Sequence, residues 1–162
     1  MKELKFKNTS FLSNYYNCPI VINGYKFPSS ENAYHSFKIT DDTVLSRTPI
    51  CEILTRVTSD EAKHFMKPLS AYYRKDWEDY KIKAMNIVVY EKFKQNENLQ
   101  KKLLQTGDAI LIEDTTGWHD NFWGNCDCPQ CQSISGKNHL GKILMSVREY
   151  FMQNKNKDIK KW

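Results

Sequence analysis

Pro28-Ser29-Ser30-Glu31-Asn32-Ala33-Tyr34-His35-Ser36-Phe37-Lys38 is the stretch from which the rest of the chain is read. Ser29 or Ser30 can accept from free backbone N–H groups, and Glu31 sits where a helix N-terminus favours negative charge. The segment therefore predicts a helix over 29–38. At 3.6 residues per turn, Glu31, Tyr34, His35 and Lys38 fall on one face. An acid, a phenol, an imidazole and an amine on one face suit chemistry. They also suit a solvated face on which Glu31 serves the helix dipole, and both readings stand.

Just upstream, Ile20-Val21-Ile22, Asn23-Gly24 and Tyr25-Lys26-Phe27 signal a hairpin, because Asn-Gly supplies the two positive-φ positions of a type I′ turn. Leu4 to Lys7 alternates like a short strand. Phe11 to Tyr16 is too aromatic for an idle loop and too polar for a core strand. Downstream, residues 40–75 predict short helices. One starts at Asp41 or Asp42, one at Thr48-Pro49, and one at Ser59-Asp60-Glu61 that Pro68 stops. Asp76 is expected to cap the longest helix, running to about Lys94, with Trp77, Tyr80, Ala84, Ile87, Val88 and Glu91 on one face. Asn98 to Gln105 predicts another helix, ended by Gly107.

Ala109-Ile110-Leu111-Ile112 reads as a buried strand with Glu113 and Asp114 emerging at its end. Residues 115–137 carry no periodic pattern, and loops of that length are functional or disordered. Trp118 and Trp123 argue against disorder. Asn138 is expected to cap the last helix, where Leu140, Ile143, Leu144, Val147 and Phe151 form an apolar stripe. The fold class is α+β: a mostly helical single domain with a small β portion, the N-terminal hairpin plus a buried strand near 109–113. The expected organisation is one domain over 1–154 and a basic tail over 155–162.

Composition bounds the function. The 162 residues suit one domain with a sizeable core. No apolar run approaches a membrane span, and Met1 to Ser10 lacks the apolar stretch of a signal peptide. A soluble cytoplasmic protein is the expectation. The formal charge is +5, yet the last ten residues hold four Lys and one Asp and so supply most of it. Only four of the 24 basic residues are Arg, the residue of bidentate phosphate contacts. Any nucleic-acid contact is therefore local rather than a property of the whole surface.

G-x-G-x-x-G, P-loop, H-E-x-x-H and G-x-S-x-G motifs are all missing. What remains is a set of polar and aromatic residues at element ends: Asn14, Glu31, Lys38, Glu113, Trp118, Trp123, Asn138 and Arg148. Glu113 reads equally as a site residue or as a cap for a neighbouring helix. Trp118 and Trp123 can stack on a base or cover a core edge. Five cysteines are present, and three crowd into Cys126-x-Cys128-x-x-Cys131. They read as thiols or metal ligands rather than a disulfide frame. A structural zinc needs four ligands, and the fourth would be His119, His139, Cys51 or water. Such a metal would brace the long loop rather than catalyse.

Phe11-Leu12-Ser13-Asn14, Ser30-Glu31-Asn32-Ala33-Tyr34 followed by Lys38, Thr106-Gly107-Asp108 with Glu113, Trp123-Gly124, and Gly136-Lys137-Asn138-x-Leu140-Gly141-x-x-Leu144-Met145-x-x-Arg148 together resemble the NADAR family, named for NAD and ADP-ribose. The resemblance covers nearly the whole chain in order. It implies a cytosolic N-glycosidase that hydrolyses a ribose C1′–N bond without a redox cofactor, on a mostly helical fold with a small β portion. It implies a small ribosylamine substrate, an early phosphoribosylamino-pyrimidine intermediate of riboflavin biosynthesis. The family's second substrate class is ADP-ribose on guanine in nucleic acid, and a non-catalytic ADP-ribose binder is the third reading. Cleaving a C1′–N bond builds positive charge on the sugar, which a carboxylate stabilises. Glu31 is the candidate for that role. Lys38 would donate a proton to the leaving nitrogen or attack C1′ to form a Schiff base. Tyr34, Asn14, Glu113, Trp118, Trp123, Asn138 and Arg148 are the candidate substrate contacts, with the indoles on the base. A non-catalytic binder has no need of an acid–amine pair, so Glu31 with Lys38 favours the enzyme.

Overall fold

A computed structural model describes residues 2–159, with side chains as far as residue 154. Its elements are β1 (Glu3–Phe6), β2 (Ile20–Ile22), β3 (Tyr25–Phe27), α1 (Ser30–Ser36), α2 (Arg47–Leu54), α3 (Ser59–Met66), α4 (Trp77–Gln95), α5 (Glu97–Gln105), β4 (Ile110–Glu113) and α6 (His139–Ile159). Two short 3-10 helices lie at Lys67–Tyr72 and Pro129–Cys131. This is the expected α+β class, mostly helical with little strand. The chain groups into two compact units, one of residues 14–95 and one of residues 2–13 with residue 96 onward. The α6 backbone continues to Ile159, and the side chains of the basic tail expected at 155–162 lie outside the described residues. No helix among the described residues is long and apolar enough to cross a membrane.

In the 14–95 unit, β2 and β3 pair antiparallel with Ile22 opposite Tyr25. Asn23 and Gly24 both have positive φ, 52° and 82°, as a type I′ turn requires. Ile20, Ile22 and Phe27 are buried while Val21 faces out, the period-two alternation of a half-buried ribbon. The hairpin leads into α1 through Ser29, whose Oγ accepts from the Asn32 N–H at 3.2 Å. Asn32 donates its amide to the Leu54 and Val57 carbonyls, both at 2.8 Å. One side chain thereby ties the end of α2 and the approach to α3 onto α1.

Several expectations for this unit are corrected. The opening helix ends at Ser36 rather than at Lys38. The Phe37 and Lys38 N–H groups bond three residues back, to the Tyr34 and His35 carbonyls, which tightens and closes the last turn. Lys38 is therefore in the turn after the helix. No helix starts at Asp41 or Asp42. There the Thr43 hydroxyl bonds the Thr40 and Leu45 carbonyls, a local alternative to helical pairing. The helix begun at Ser59 does end as expected before Pro68, at Met66; the chain goes on as a 3-10 helix with Pro68 in its first turn, where its missing N–H costs nothing. Asp76 begins α4 with its carbonyl, which accepts from the Tyr80 N–H at 2.9 Å, while its carboxylate pairs with Arg74. At 19 residues α4 is shorter than the 21-residue α6. Its buried face is Trp77, Ala84, Met85, Val88, Val89, Lys92 and Phe93, with Tyr80, Ile87 and Glu91 at the margin.

Lys92 is the unusual member of that face. It is 1% exposed, and its Nζ lies 5.4 Å from the Phe93 ring centroid and 5.7 Å from that of Tyr16. Burial pushes its amine down to about 7, against an opposing pull from the Cys18 thiol.

In the other unit, β1 and β4 pair in parallel, Glu3 opposite Ile110 and Phe6 opposite Glu113. β4 is less buried than expected: Leu111 is enclosed, but Ile110 and Ile112 are partly exposed. α6 lies on β4 and α5 with the predicted stripe of Leu140, Ile143, Leu144, Val147 and Phe151 buried. A Cβ at Gly141 would collide with the Leu111 carbonyl and the Asn138 amide, so only glycine allows this approach of helix to strand. Asn138 starts α6 with its carbonyl, which accepts from the Lys142 N–H. Its side chain donates to the Leu111 carbonyl at 2.8 Å and accepts from the Glu113 N–H at 3.1 Å.

Candidate functional site

α1 and the turn after it carry the candidate chemistry of the 14–95 unit. Glu31 Oε1 lies 3.0 Å from His35 Nε2, one helical turn away, and the two side chains are only 13% and 5% exposed. Lys38 Nζ sits among three aromatic faces, 4.8 Å from the Tyr73 centroid, 5.5 Å from Trp77 and 5.6 Å from Tyr34. Tyr34 and Trp77 pack at 5.2 Å, and Tyr73 meets Trp77 edge-on at 6.3 Å. Tyr73 is fixed by its hydroxyl, which donates to the Met66 carbonyl at 2.6 Å. The Lys38 carbonyl accepts from the Arg74 N–H at 2.8 Å, which anchors the turn to the segment before α4.

This setting sets the charge states. For Glu31, burial raises the carboxyl, but the His35 hydrogen bond and the cations Lys38 and Lys63 outweigh it and hold it below its usual range. For His35, burial lowers the imidazole more than Glu31 raises it, so it is neutral at pH 7. Burial drives the Lys38 amine down to about 8; Lys63 adds to that, while Glu31 and Glu78 oppose it. The result is an ionised carboxylate near an amine that is partly neutral near physiological pH, in a largely apolar wall.

Asn14 lies behind this pair. It is buried, donates to Met85 Sδ at 3.0 Å, accepts from Ser30 Oγ at 2.9 Å, and its carbonyl takes the Glu31 N–H at 3.1 Å. Beside the N-terminus of α1 is a groove of about 530 Å³ lined by Tyr15, Asn17, Ser29, Arg56 and Thr58. Sequence reasoning named Glu31, Tyr34, Lys38 and Asn14 but did not place Tyr73, Trp77 or Lys63 near them. Trp77 reads as core from its spacing, and no local spacing links Lys38 to residues 25–39 positions away.

The other sequence-derived candidates lie in the second unit. Glu113 ends β4, with its N–H bonded to Asn138 and its carbonyl to the Asn125 N–H. Arg148 is buried and donates to Thr106 Oγ1 at 2.7 Å and to the Ala109 carbonyl at 2.9 Å. Trp123 packs edge-on against Phe122 at 4.9 Å and near His139, while Trp118 is 41% exposed.

The thiols of Cys126, Cys128 and Cys131 converge on one nitrogen. His119 Nδ1 is 3.3 Å from Cys128 Sγ, 3.5 Å from Cys131 Sγ and 3.6 Å from Cys126 Sγ. All four donor atoms lie within 4.8 Å of one another, a cluster able to hold a metal ion. Tetrahedral zinc with ordinary bond lengths separates a nitrogen from a sulfur ligand by about 3.5 Å. Of the fourth ligands considered, His119 has this geometry, whereas His139 stacks on Phe122 at 4.5 Å and Cys51 is buried in α2 of the other unit. His119 reaches the thiols from a positive φ of 59°, a feature that no sequence spacing announces.

Comparison with known proteins finds relatives over most of the chain. The model of the NADAR domain family matches residues 2–152. A riboflavin biosynthesis protein of Vibrio vulnificus is 35% identical over 148 residues, 91% of this chain; the match spans 37% of that longer protein. The N-glycosidase YbiA of Escherichia coli is 32% identical over 140 residues, 85% of this chain and 78% of its own length. The solved structure of Escherichia coli YbiA superposes with a TM-score of 0.76 at 28% identity, covering 96% of this chain and 89% of that one.

Proposed function

The chain belongs to the NADAR domain family, and on that premise we propose that it is an N-glycosidase hydrolysing the ribose C1′–N bond of a small phosphoribosylamino-pyrimidine of early riboflavin synthesis. Relatives named as N-glycosidases and as riboflavin biosynthesis proteins support the reaction class and the substrate class. The observation that carries the reading is a half-buried, ionised Glu31 whose charge acts on a half-buried Lys38 amine lowered to about 8.

Glu31 stabilises the positive charge that grows on the sugar as the C1′–N bond breaks. Lys38, as the neutral amine, attacks C1′. The bonding pair leaves with the base nitrogen, which takes the proton given up by Nζ through Glu31. Opening of the C1′–O4′ bond, with a proton from solvent to O4′, leaves an iminium on Lys38. Water then releases the sugar aldehyde and restores the amine. Aromatic faces around Nζ disfavour its charged, hydrated form less than an aliphatic wall would, which keeps its pKa near 8 rather than lower. Asn14 and Tyr34 frame the pair within its unit; Glu113, Trp118, Trp123, Asn138 and Arg148 are proposed as substrate contacts of the other unit. Asn138 and Arg148 spend side-chain bonds on the fold, so any substrate contact is an additional duty.

The sign of the pH dependence tests the role of Lys38. A nucleophilic amine must be neutral, so kcat is expected to rise as pH passes through about 8. Borohydride added during turnover should fix sugar to Lys38, read by mass spectrometry of the peptide. A kcat that falls through pH 8, with no adduct, would make Lys38 a proton donor or a fixed charge instead.

The Cys126, Cys128, Cys131 and His119 cluster is proposed to hold a structural zinc that braces residues 115–137, with no part in the bond cleavage. Elemental analysis should find about one zinc per chain. Chelation should change the near-ultraviolet signal of Trp118 and Trp123. Metal-free protein with an unchanged spectrum and activity would make these ordinary thiols.

A further inference from the structure

His35 faces Glu31 with one nitrogen and leaves the other without a partner. Its Nδ1 is fully enclosed and bonds nothing, while Nε2 is 3.0 Å from Glu31 Oε1. Three proton arrangements can be compared. An imidazolium would bury an Nδ1–H donor with no acceptor, at a cost of about 1–3 kcal/mol or more. The neutral Nδ1–H form has the same orphan donor, and it also turns the Nε2 lone pair toward a carboxylate oxygen. The neutral Nε2–H form donates to Glu31 and leaves only an acceptor lone pair at Nδ1, the least costly orphan of the three.

We propose that His35 is a positioning residue which, as the neutral Nε2–H imidazole, fixes the direction and the charge of the Glu31 carboxylate. The inference rests on the N-glycosidase reading for its kinetic consequence and on the geometry alone for its proton arrangement. The titratable groups acting on Glu31 are His35 on its own helix, Lys38 in the following turn and Lys63 from α3, while Glu78 of α4 acts on Lys38. Among these only His35 has a hydrogen bond to the carboxylate. Without it, burial works against the ionised form with only the two lysines in opposition.

The test is a pair of substitutions with different chemistry. His35→Gln keeps an N–H donor one turn from Glu31, and His35→Leu keeps bulk without a donor. His35→Leu should lower kcat at least about tenfold, the worth of one hydrogen bond to a charged group. KM should change much less, and the lower break of the kcat profile, where Glu31 takes up its proton beneath the Lys38 limb near 8, should move to higher pH as Glu31 becomes easier to protonate. His35→Gln should restore most of both. An unchanged lower break in His35→Leu, or equal damage in the two variants, would overturn the proposal. Nitrogen chemical shifts of the His35 ring in the native protein provide a readout that needs neither variant nor turnover. They should report the neutral Nε2–H tautomer at pH 7; an imidazolium or the Nδ1–H tautomer would overturn the proposal. Should no ribosylamine be cleaved at all, the glycosidase reading fails while these shifts still decide what His35 does.

Discussion

Glu31→Gln is expected to lower kcat at least about a hundredfold, roughly 2.7 kcal/mol of transition-state stabilisation. Glutamine keeps the shape of the side chain but removes the charge that an oxocarbenium-like state needs. Lys38→Ala should cost at least as much by removing the amine altogether. Lys38→Arg retains a cation among Tyr34, Tyr73 and Trp77 but not a nucleophile, so it should be as slow as Lys38→Ala. All three variants should fold, because glutamine still offers the His35 Nε2 an acceptor and Lys38 lies in a half-exposed turn that tolerates alanine or arginine. Steady-state rates beside thermal unfolding curves check both parts. An active Lys38→Arg would reduce Lys38 to a charge and leave Glu31 with water as the catalytic pair.

Lys92→Met should make the protein more stable at pH 7 by about 2 kcal/mol or more, and should flatten the dependence of stability on pH. The folded amine titrates at about 7 and the unfolded one at 10.5. Between these values the unfolded chain holds a proton that the folded chain has shed. Stability therefore rises with pH across that window, by up to about 1.4 kcal/mol per pH unit. Below pH 7 the penalty of the buried ammonium is present in full; above 10.5 it has gone. Methionine keeps the unbranched stem and does not titrate. Lys38, lowered to about 8, leaves a smaller slope in both proteins. Urea unfolding at pH 7 and pH 9.5 measures the difference. Parallel pH dependences for wild type and Lys92→Met would show that the amine is charged in the folded state, with partners enough to keep it so.

The local grammar of the chain was legible where a residue's own backbone decided the outcome. Asn23-Gly24 made its turn, Ser29 made its cap, and the α6 stripe buried as spaced. Reading failed where tertiary contacts decide. Nothing in residues 36–38 marks a stop, yet the closing of the last turn moved Lys38 off the helix and toward Tyr73 and Trp77. The partner of β1 is more than a hundred residues away in sequence, and a four-residue alternation says nothing about it. Lys92 shows the same limit from the other side. A lysine at a core position of α4 breaks the apolar pattern, so periodicity passed over a residue that is fully enclosed. Polar residues at element ends were conspicuous in the sequence, but a type and a position do not separate a side chain that meets a ligand from one, like Arg148, that satisfies buried carbonyls.

The most direct test of the central claim is product analysis after incubating the purified protein with a phosphoribosylamino-pyrimidine and, separately, with ADP-ribosylated guanine. Chromatography should show free pyrimidine and ribose 5-phosphate appearing in equal amounts from the first substrate, with none from a Glu31→Gln, Lys38→Ala double variant. Release from ADP-ribosylated guanine alone would keep the chemistry and change the substrate. Intact substrates with the wild-type protein, or equal release by wild type and the double variant, would contradict an N-glycosidase site built on Glu31 and Lys38.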